Sequence, residues 1–207
     1  EIGYDTLEPQ ILNAADYGVP QRRNRIIFMG YRRGLNPPHY PKPTTKPEER
    51  VTLLEAIGDL ITDPEQRDKV NPNLSQYQLE SVNGRTPNIN GIPISATDIA
   101  NTELSRQTDI VRERFELFKP GESGSYLKKR VMEVGIDISD KPALIDLCSK
   151  QLKISKSEVI ELFKKPGATK EQVEVLLTKK NIRQKWSPDQ PSATVVTIAD
   201  DYISPWE

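Results

Sequence analysis

Apolar positions near the start of the chain follow an extended pattern. Residues 26–29 form a short continuous apolar run that begins with two β-branched isoleucines, a pattern typical of a strand buried on both faces. Residues 2–12 lead in as a second extended segment. Between them, Gly18 and Pro20 favour a turn over a helix within residues 16–20. The pattern therefore predicts a strand, a polar loop and a second strand.

Apolar positions in the second half recur at helical spacing of about 3.6 residues. The spacing predicts five helices, at residues 102–119, 125–134, 143–152, 156–164 and 170–179. Ser155 with Glu158 and Thr169 with Gln172 have the spacing of capping boxes. The last three helices would share one apolar core.

The region between these two patterns is mostly irregular. Five prolines within residues 36–47 predict a stiff extended connector, which we interpret as a domain boundary. Thr52, with Glu55 three residues later, predicts a short capped helix after the connector. Residues 62–100 are rich in turn signals and are predicted to be mostly loop. Such a stretch is either a set of functional loops or a flexible insertion, and both interpretations remain open.

Residues 147–163 have the outline of a helix-turn-helix. Ser155, Lys156 and Ser157 would open its second helix, and a helix N-terminus with such residues suits contact with phosphate. The same outline occurs in many small helical packings. The alternative is therefore a helical bundle without a nucleic-acid role.

Composition excludes some classes of protein. Among 207 residues, 35% are hydrophobic and 29% charged, which favours a folded protein with a polar surface. No apolar run approaches the ~20 residues of a membrane span. The net charge of −1 provides no overall attraction for polyanions, so nucleic-acid binding would need local patches. Residues 21–50 and 141–185 are basic and flank an acidic segment, an arrangement that suits a DNA cleft or, alternatively, solvated helix faces.

Two kinds of metal-binding or reactive side chain are represented by one residue each. His39 has no second histidine or nearby cysteine, so we expect a turn residue and no metal site. The single cysteine, Cys148, excludes an internal disulfide and fits a reducing compartment, so we expect a cytoplasmic protein, nucleoid-associated if bacterial. Cys148 falls on the apolar side of a predicted helix, where a thiol is a core residue and not a nucleophile.

Three arginines lie at the mouth of the second predicted strand. Arg22, Arg23 and Arg25 carry guanidinium groups, which are costly to bury and well matched to phosphate or a planar polar ligand. For an arbitrary basic triplet, a solvated strand end would be the simpler interpretation.

The surrounding residues favour a ligand. The run from Leu12 to Arg25, LNAADYGVPQRRNR, resembles the Gln-x-Arg-x-Arg motif of the cytosine-5 DNA methyltransferase family. The resemblance extends to Gly3-Tyr4 and to Gly30-Tyr31. Arg183, followed by Pro191-Ser192-x-Thr194, resembles the next motif of the family. In that family, the two motifs bracket the variable target-recognition region.

The resemblance implies an α+β fold in three parts. Residues 1–36 would supply a β-hairpin and edge strands to the sheet of the catalytic domain. Residues 37–182 would form a largely helical target-recognition domain with long loops, including the possible helix-turn-helix at 143–180. Residues 183–207 would return to the catalytic domain.

The resemblance also implies roles for individual residues. Arg25 would contact the oxygen of a flipped cytosine, and Arg23 would support that pocket and hold nearby phosphate. Gln21 and Arg22 would belong to the DNA-facing loop. The remaining DNA-binding candidates, which would hold the recognition region over DNA, are Arg183, Ser192 and Thr194.

Other parts of the family pattern do not occur in this sequence. The Phe-x-Gly-x-Gly cofactor loop, the Pro-Cys nucleophile and the Glu-Asn-Val carboxylate are absent. We therefore expect the carboxy-terminal, recognition-bearing portion of a larger enzyme, an expectation that the absence of an initiator Met also favours. The full-length enzyme would use S-adenosylmethionine, and this portion would bind none and be inactive alone.

The expected partners are double-stranded DNA and the remainder of the catalytic domain. Two alternatives remain open. The chain could be a freestanding, sequence-specific DNA-binding module built on the helices of residues 143–180, or its helical middle could bind another protein.

Overall fold

The computed structural model describes residues 3–61, 63–85, 87–95, 107–179, 183–195 and 202–206. The chain divides into two compact units: Glu1–Thr102 with Pro188–Val195, and Glu103–Ser187 with Val196–Glu207. Helices and short paired strands both occur, so the predicted α+β class is confirmed. The three functional domains predicted from the sequence remain a prediction.

The first unit begins with a two-stranded antiparallel ribbon. The four strands are β1 (Tyr4–Thr6), β2 (Gln10–Asn13), β3 (Asn24–Ile27) and β4 (Gly30–Arg32). Strand β1 pairs with β4 and β2 pairs with β3, and the Leu7 amide donates to the Met29 carbonyl between the two pairs at 2.9 Å. The loop of residues 14–23, called the arginine loop below, closes this ribbon and carries Arg22 and Arg23, while Arg25 follows on β3.

The prediction of a strand buried on both faces at residues 26–29 is wrong. Strand β3 ends at Ile27, and the side chains of Ile26 and Phe28 are 57% and 75% exposed. Ile11, which lies opposite Ile26 in the ribbon, is 67% exposed. The ribbon has only two strands here, and within the described residues no apolar layer covers this face.

Three short helices follow the connector: α1 (Leu53–Ile57), α2 (Pro64–Val70) and α3 (Gln76–Val82). The capping box predicted at Thr52 is confirmed. Helices α2 and α3 were not predicted within residues 62–100, although most of the described residues of this stretch lie outside helices, as expected. Asp63 caps α2 before a proline, and Ser75 with Gln78 forms a capping box on α3. These start signals are local and were obscured by the surrounding turn residues.

The second unit contains five helices in its described part: α4 (Asp109–Glu116), α5 (Gly124–Glu133), α6 (Pro142–Leu152), α7 (Lys156–Lys164) and α8 (Lys170–Leu176). All five predicted helices are present, but α4 begins only at Asp109 within the described residues, and α4 and α8 each end three residues before the predicted bound. Residues 102–106 lie outside the described residues. The capping boxes of α7 and α8 are confirmed. Strands β5 (Gln184–Lys185) and β6 (Tyr202–Ile203) pair in parallel.

One apolar core holds the second unit together. Phe163, Leu127, Leu144 and Cys148 are completely buried within it, so the prediction that Cys148 is a core residue is confirmed. None of the helices in the described ranges is both long and apolar enough to cross a membrane. Residues 194–198 are rich in β-branched side chains, which favours a strand, but Thr194 and Val195 lie in none, and residues 196–198 lie outside the described residues.

Candidate nucleic-acid interface

Both ends of the arginine loop form hydrogen bonds to the same side chain, that of Asn13. Asn13 caps a short 3-10 helix, Ala14–Tyr17, which Gly18 ends with a left-handed φ of 79°. The Asn13 Oδ1 accepts hydrogen bonds from the amides of both Ala15 and Arg23, each at 3.1 Å. The Ala14 amide also donates to the Arg23 carbonyl at 3.0 Å. The two ends of the loop are therefore tied together.

The Pro-Ser-x-Thr segment binds directly to this loop. Gln21 and Ser192 form a parallel bridge, and the Arg22 amide donates to the Ser192 carbonyl at 2.8 Å. The Ser192 amide and hydroxyl both donate to the Pro20 carbonyl, across 172 positions of sequence. The Thr194 hydroxyl donates to the Arg22 carbonyl at 2.8 Å. Two motifs from opposite ends of the chain thus form one element.

The proline-rich connector and Arg50, which follows it, also form hydrogen bonds with this loop. The amides of Thr44 and Thr45 donate to the Asp16 carbonyl, each at 3.0 Å. The Asp16 carboxylate accepts from Nε of Arg50 at 2.9 Å, and Tyr17 donates its hydroxyl to the Pro41 carbonyl at 2.9 Å. These bonds fix the loop without using the side chains of its arginines.

Those arginine side chains point out of the protein. Arg22, Arg23 and Arg25 are all exposed, and no described carboxylate forms an ion pair with any of them. Arg25 lies opposite Leu12 in the ribbon, and its Nη1 donates to the neighbouring Asn24 carbonyl at 2.7 Å. Exposed guanidinium groups on a backbone this well bonded form a preorganised cationic surface that suits an anionic or planar polar ligand.

Arg183 belongs to the helical unit. Its carbonyl accepts from the Gly124 amide at 2.7 Å, and its guanidinium carbon lies 5.3 Å from the centre of the Phe115 ring. The next residue, Gln184, forms an isolated antiparallel bridge with Ser123. Arg183 thus holds the segment that precedes α5, within the helical unit.

The α6–α7 region has the outline of a helix-turn-helix, but its polar groups have partners within the unit. The Ser155 hydroxyl and amide both donate to the Glu158 carboxylate, at 2.6 and 2.8 Å. Lys156 forms an ion pair with Asp146 at 2.5 Å. The groups expected to contact phosphate are therefore engaged, and Glu158 adds a negative charge at the same helix end.

Several other charged groups of the helical unit also have partners. The Glu113 carboxylate accepts from the Ala143 and Leu144 amides at 3.0 and 2.8 Å, and thereby caps α6. Hydrogen bonds from Lys141 to Asp140 and Glu116 raise the pKa of Lys141. The helical unit thus has fewer cations available to a polyanion than its sequence suggests.

Cys148 lacks the environment of a nucleophile. Burial raises the pKa of its thiol to about 11, and the nearby positive charge of Arg114 opposes that rise only in part. A thiol with such a pKa is almost entirely protonated near neutral pH and is unreactive.

Two residues important for the loop were not singled out in the sequence. Asn13 and Asp16 make the bonds that close the loop and attach it to the connector. An asparagine directly before Ala14-Ala15 is a recognisable N-cap signal. The hydrogen bond that the Arg23 amide donates to Asn13 depends on the register of the ribbon, so no local sequence pattern indicates it.

Comparison with known proteins identifies the family. The family model for C-5 cytosine-specific DNA methylase matches residues 1–200. The chain belongs to this family. The family resemblance inferred from the two motifs is therefore confirmed, and the paired loop and Pro-Ser-x-Thr segment are elements of a DNA methylase.

Curated relatives of this methylase chain are Type II methyltransferases. M.XorII of Xanthomonas oryzae is 54% identical over 59 residues, covering 28% of this chain and 13% of that protein. M.MthTI of Methanothermobacter thermautotrophicus is 47% identical over 89 residues, covering 42% and 24%. M.DdeI of Desulfomicrobium norvegicum is 32% identical over 122 residues, covering 58% and 28%. The chain thus spans no more than 28% of the length of these relatives. No solved structure matches it.

Proposed function

We propose that this chain is the DNA-recognition portion of a DNA (cytosine-5-)-methyltransferase, and that its loop positions a flipped target cytosine. The observation that carries the proposal is the pairing of Gln21 with Ser192, because it joins the two motifs into one surface with exposed arginines. The surface has the charge and planarity needed to bind DNA phosphates and a pyrimidine.

Methylation of cytosine requires groups that these arginines can supply. A cytosine inside a duplex is inaccessible, so the enzyme rotates it into a pocket before reaction. Attack on the ring places electron density on the base, and a cation at the base oxygen stabilises that density. Arg25 makes this contact, and Arg23 supports the pocket and holds an adjacent phosphate. Gln21 and Arg22 belong to the surface that faces DNA.

Ser192 and Thr194 act mainly by holding the loop. Both hydroxyl protons are donated to loop carbonyls, those of Pro20 and Arg22. Their contribution to DNA binding is to keep the backbone of the arginine loop in one conformation. Arg183 supports the recognition region within the helical unit.

The methyl donor is S-adenosylmethionine, which supplies the methyl group to the activated base. A groove of about 620 Å³ in the first unit has four prolines among its ten lining residues, Pro37, Pro38, Pro41 and Pro43. Proline has no backbone N–H, so these residues offer no backbone donors to the carboxylate of the cofactor. We assign no residue of this chain to the cofactor.

Methylation belongs to the full-length protein. The chain spans at most 28% of the relatives named above, and neither the Pro-Cys nucleophile nor the Phe-x-Gly-x-Gly loop occurs in it. Alone, it binds DNA without transferring a methyl group. Its partners are double-stranded DNA and the remainder of a cytoplasmic methyltransferase.

The decisive experiment replaces Arg25 by alanine in the full-length protein. Transfer of labelled methyl groups to duplex DNA is expected to fall by about a hundredfold or more, because a removed electrostatic donor costs that much in turnover. Duplex affinity, measured by gel shift, is expected to change little.

Arg112→Ala is the matched control, since Arg112 is an exposed arginine that pairs with Asp109 on α4. Its turnover should match that of the wild type. Unchanged turnover of Arg25→Ala would contradict the role of Arg25, and the absence of cytosine-5 methylation by the wild type would contradict the proposed function.

A further inference from the structure

The first turn of α1 is hydrogen-bonded to the residues just before the Pro-Ser-x-Thr segment. The first amides of a helix have no acceptor within the helix and need one from elsewhere. The Leu53 amide donates to the Gln190 carbonyl at 3.0 Å, and the Leu54 amide donates to the Pro188 carbonyl at 2.9 Å. The Leu53 side chain is also buried. The start of α1 and the Pro-Ser-x-Thr segment are therefore held together.

Arg50 connects the same helix start to the arginine loop. It lies two residues before Thr52, the N-cap of α1. Its Nε and Nη2 both donate to Oδ1 of Asp16, at 2.9 and 2.5 Å, and Asp16 belongs to the 3-10 helix of the loop. The Arg50 and Asp16 side chains are only 26% and 24% exposed, so solvent screens this ion pair less than a pair on the open surface.

These contacts close a ring of three segments: the arginine loop, the start of α1 and the Pro-Ser-x-Thr segment. The third side of the ring is the pairing of Gln21 with Ser192. All three segments belong to the same compact unit. Displacing one of them breaks bonds to both of the others. The pair of Arg50 with Asp16 joins its two segments through side chains, so a substitution can remove it.

Helix α1 is also bonded to the next helices of the predicted recognition region. The Gln78 Nε2 on α3 donates to the Leu54 carbonyl at 3.2 Å, and the Ser75 hydroxyl donates to the Glu55 carbonyl. Gln78 is only 2% exposed, which makes this bond costly to break without a replacement. Helix α1 thus links α3 to both of the motifs that characterise the family.

We propose that Arg50 is a positioning residue for methylation: it fixes the arginine loop relative to α1 and the Pro-Ser-x-Thr segment, so that Arg25 meets the flipped cytosine. This role rests on the proposed function. Arg50 acts through Asp16 and need not touch the base. Misplacement of a reacting group by about 1 Å can cost about a hundredfold in rate. Loss of this side of the ring therefore lowers turnover more than it lowers DNA affinity.

The test measures steady-state methylation of duplex DNA by the full-length enzyme. Arg50→Ala is expected to lower kcat by about tenfold and to change KM for the duplex by less than about twofold, because the arginines that hold phosphate remain. Arg33→Ala is the matched control, since Arg33 forms an ion pair with Asp5 at 3.0 Å in the same ribbon but outside the ring. Its kcat and KM should match those of the wild type.

A double-mutant cycle separates positioning from a general loss of stability. In the Arg25→Ala background, Arg50→Ala should cost less than about twofold in kcat, because the group that Arg50 positions is already gone. A loss of stability would lower kcat by the same factor in both backgrounds. Arg50→Lys keeps the charge but lacks the planar fork of a guanidinium, so a loss of about threefold in kcat alone is expected. This milder variant serves the same test if Arg50→Ala does not fold.

The outcomes distinguish the two proposals. Equal losses in both backgrounds, a raised KM with unchanged kcat, or wild-type kinetics of the Arg50 variants would overturn the positioning role and leave the proposed function standing. A wild type that does not methylate cytosine would overturn both proposals.

Discussion

The arginine loop and the helical unit use cationic side chains differently. In the arginine loop, the backbone atoms of Arg22 and Arg23 are bonded, while their side chains are exposed and without a described ion-pair partner. In the helical unit, the side chains of Arg130 and Lys141 are paired with carboxylates. The difference supports the proposal that the arginine loop contacts DNA, because cations without an ion-pair partner are available to phosphates.

The largest expected effect on stability comes from comparing a buried phenylalanine of the helical unit with an exposed phenylalanine of the first unit. Phe163→Ala should destabilise the helical unit by about 3–5 kcal/mol, because Phe163 is completely buried in its core. Phe28→Ala should change the free energy of unfolding by less than about 0.5 kcal/mol, because Phe28 is 75% exposed. Urea denaturation of both variants measures the contrast, and similar losses would show that Phe28 is covered in solution.

The next effect concerns the buried thiol of the helical unit. Because the pKa of Cys148 is raised to about 11 in the folded state, its contribution to stability is fully present below its unfolded pKa of about 8.5 and is lost as pH rises through 11. At pH 8.5, iodoacetamide should alkylate Cys148 about a hundredfold more slowly in the folded protein than in urea. Equal rates would contradict its burial.

A smaller effect is expected where the arginine loop closes. Asn13→Leu removes an acceptor shared by the Ala15 and Arg23 amides and should cost about 1 kcal/mol, the usual value of an N-cap. Asn13→Asp retains the acceptor and should behave nearly as the wild type. Hydrogen exchange at the Arg23 amide measures the loop directly. If the Arg23 amide exchanged at the same rate in both variants, the hydrogen bonds accepted by Asn13 would not be what holds the loop closed.

The smallest change in stability should accompany a clear change in DNA binding. Arg22→Ala is expected to alter the free energy of unfolding by less than about 0.5 kcal/mol, because its side chain has no described partner. It should lower the slope of log affinity against log salt by about 0.9, the value of one phosphate contact. Arg112→Ala, which removes a cation paired with Asp109, should leave the slope unchanged. Equal slopes for the two variants would contradict the comparison between the units.

Local signals in the sequence predicted much of the helical unit. Helix α7 has the predicted bounds, and the capping boxes at Ser155 and Thr169 are present as expected, because a cap depends only on residues within one turn of helix. The strand prediction at residues 26–29 failed because burial on both faces requires layers supplied by other parts of a protein. Helices α2 and α3 were missed because their caps lie among turn-forming residues with the same composition.

The sequence by itself determined the family, the positions of most helices and the identity of the arginines, because these follow from residue types at short, regular spacing. Only the tertiary structure decided that Ser192 joins the arginine loop, that Asn13 closes it, and that Lys156 has an ion-pair partner while Arg22 has none among the described residues. The physical reason is that hydrogen bonds and ion pairs depend on distances of a few ångströms in space. The pairing of Pro20 with Ser192 spans 172 positions, and chain topology alone brings such residues together.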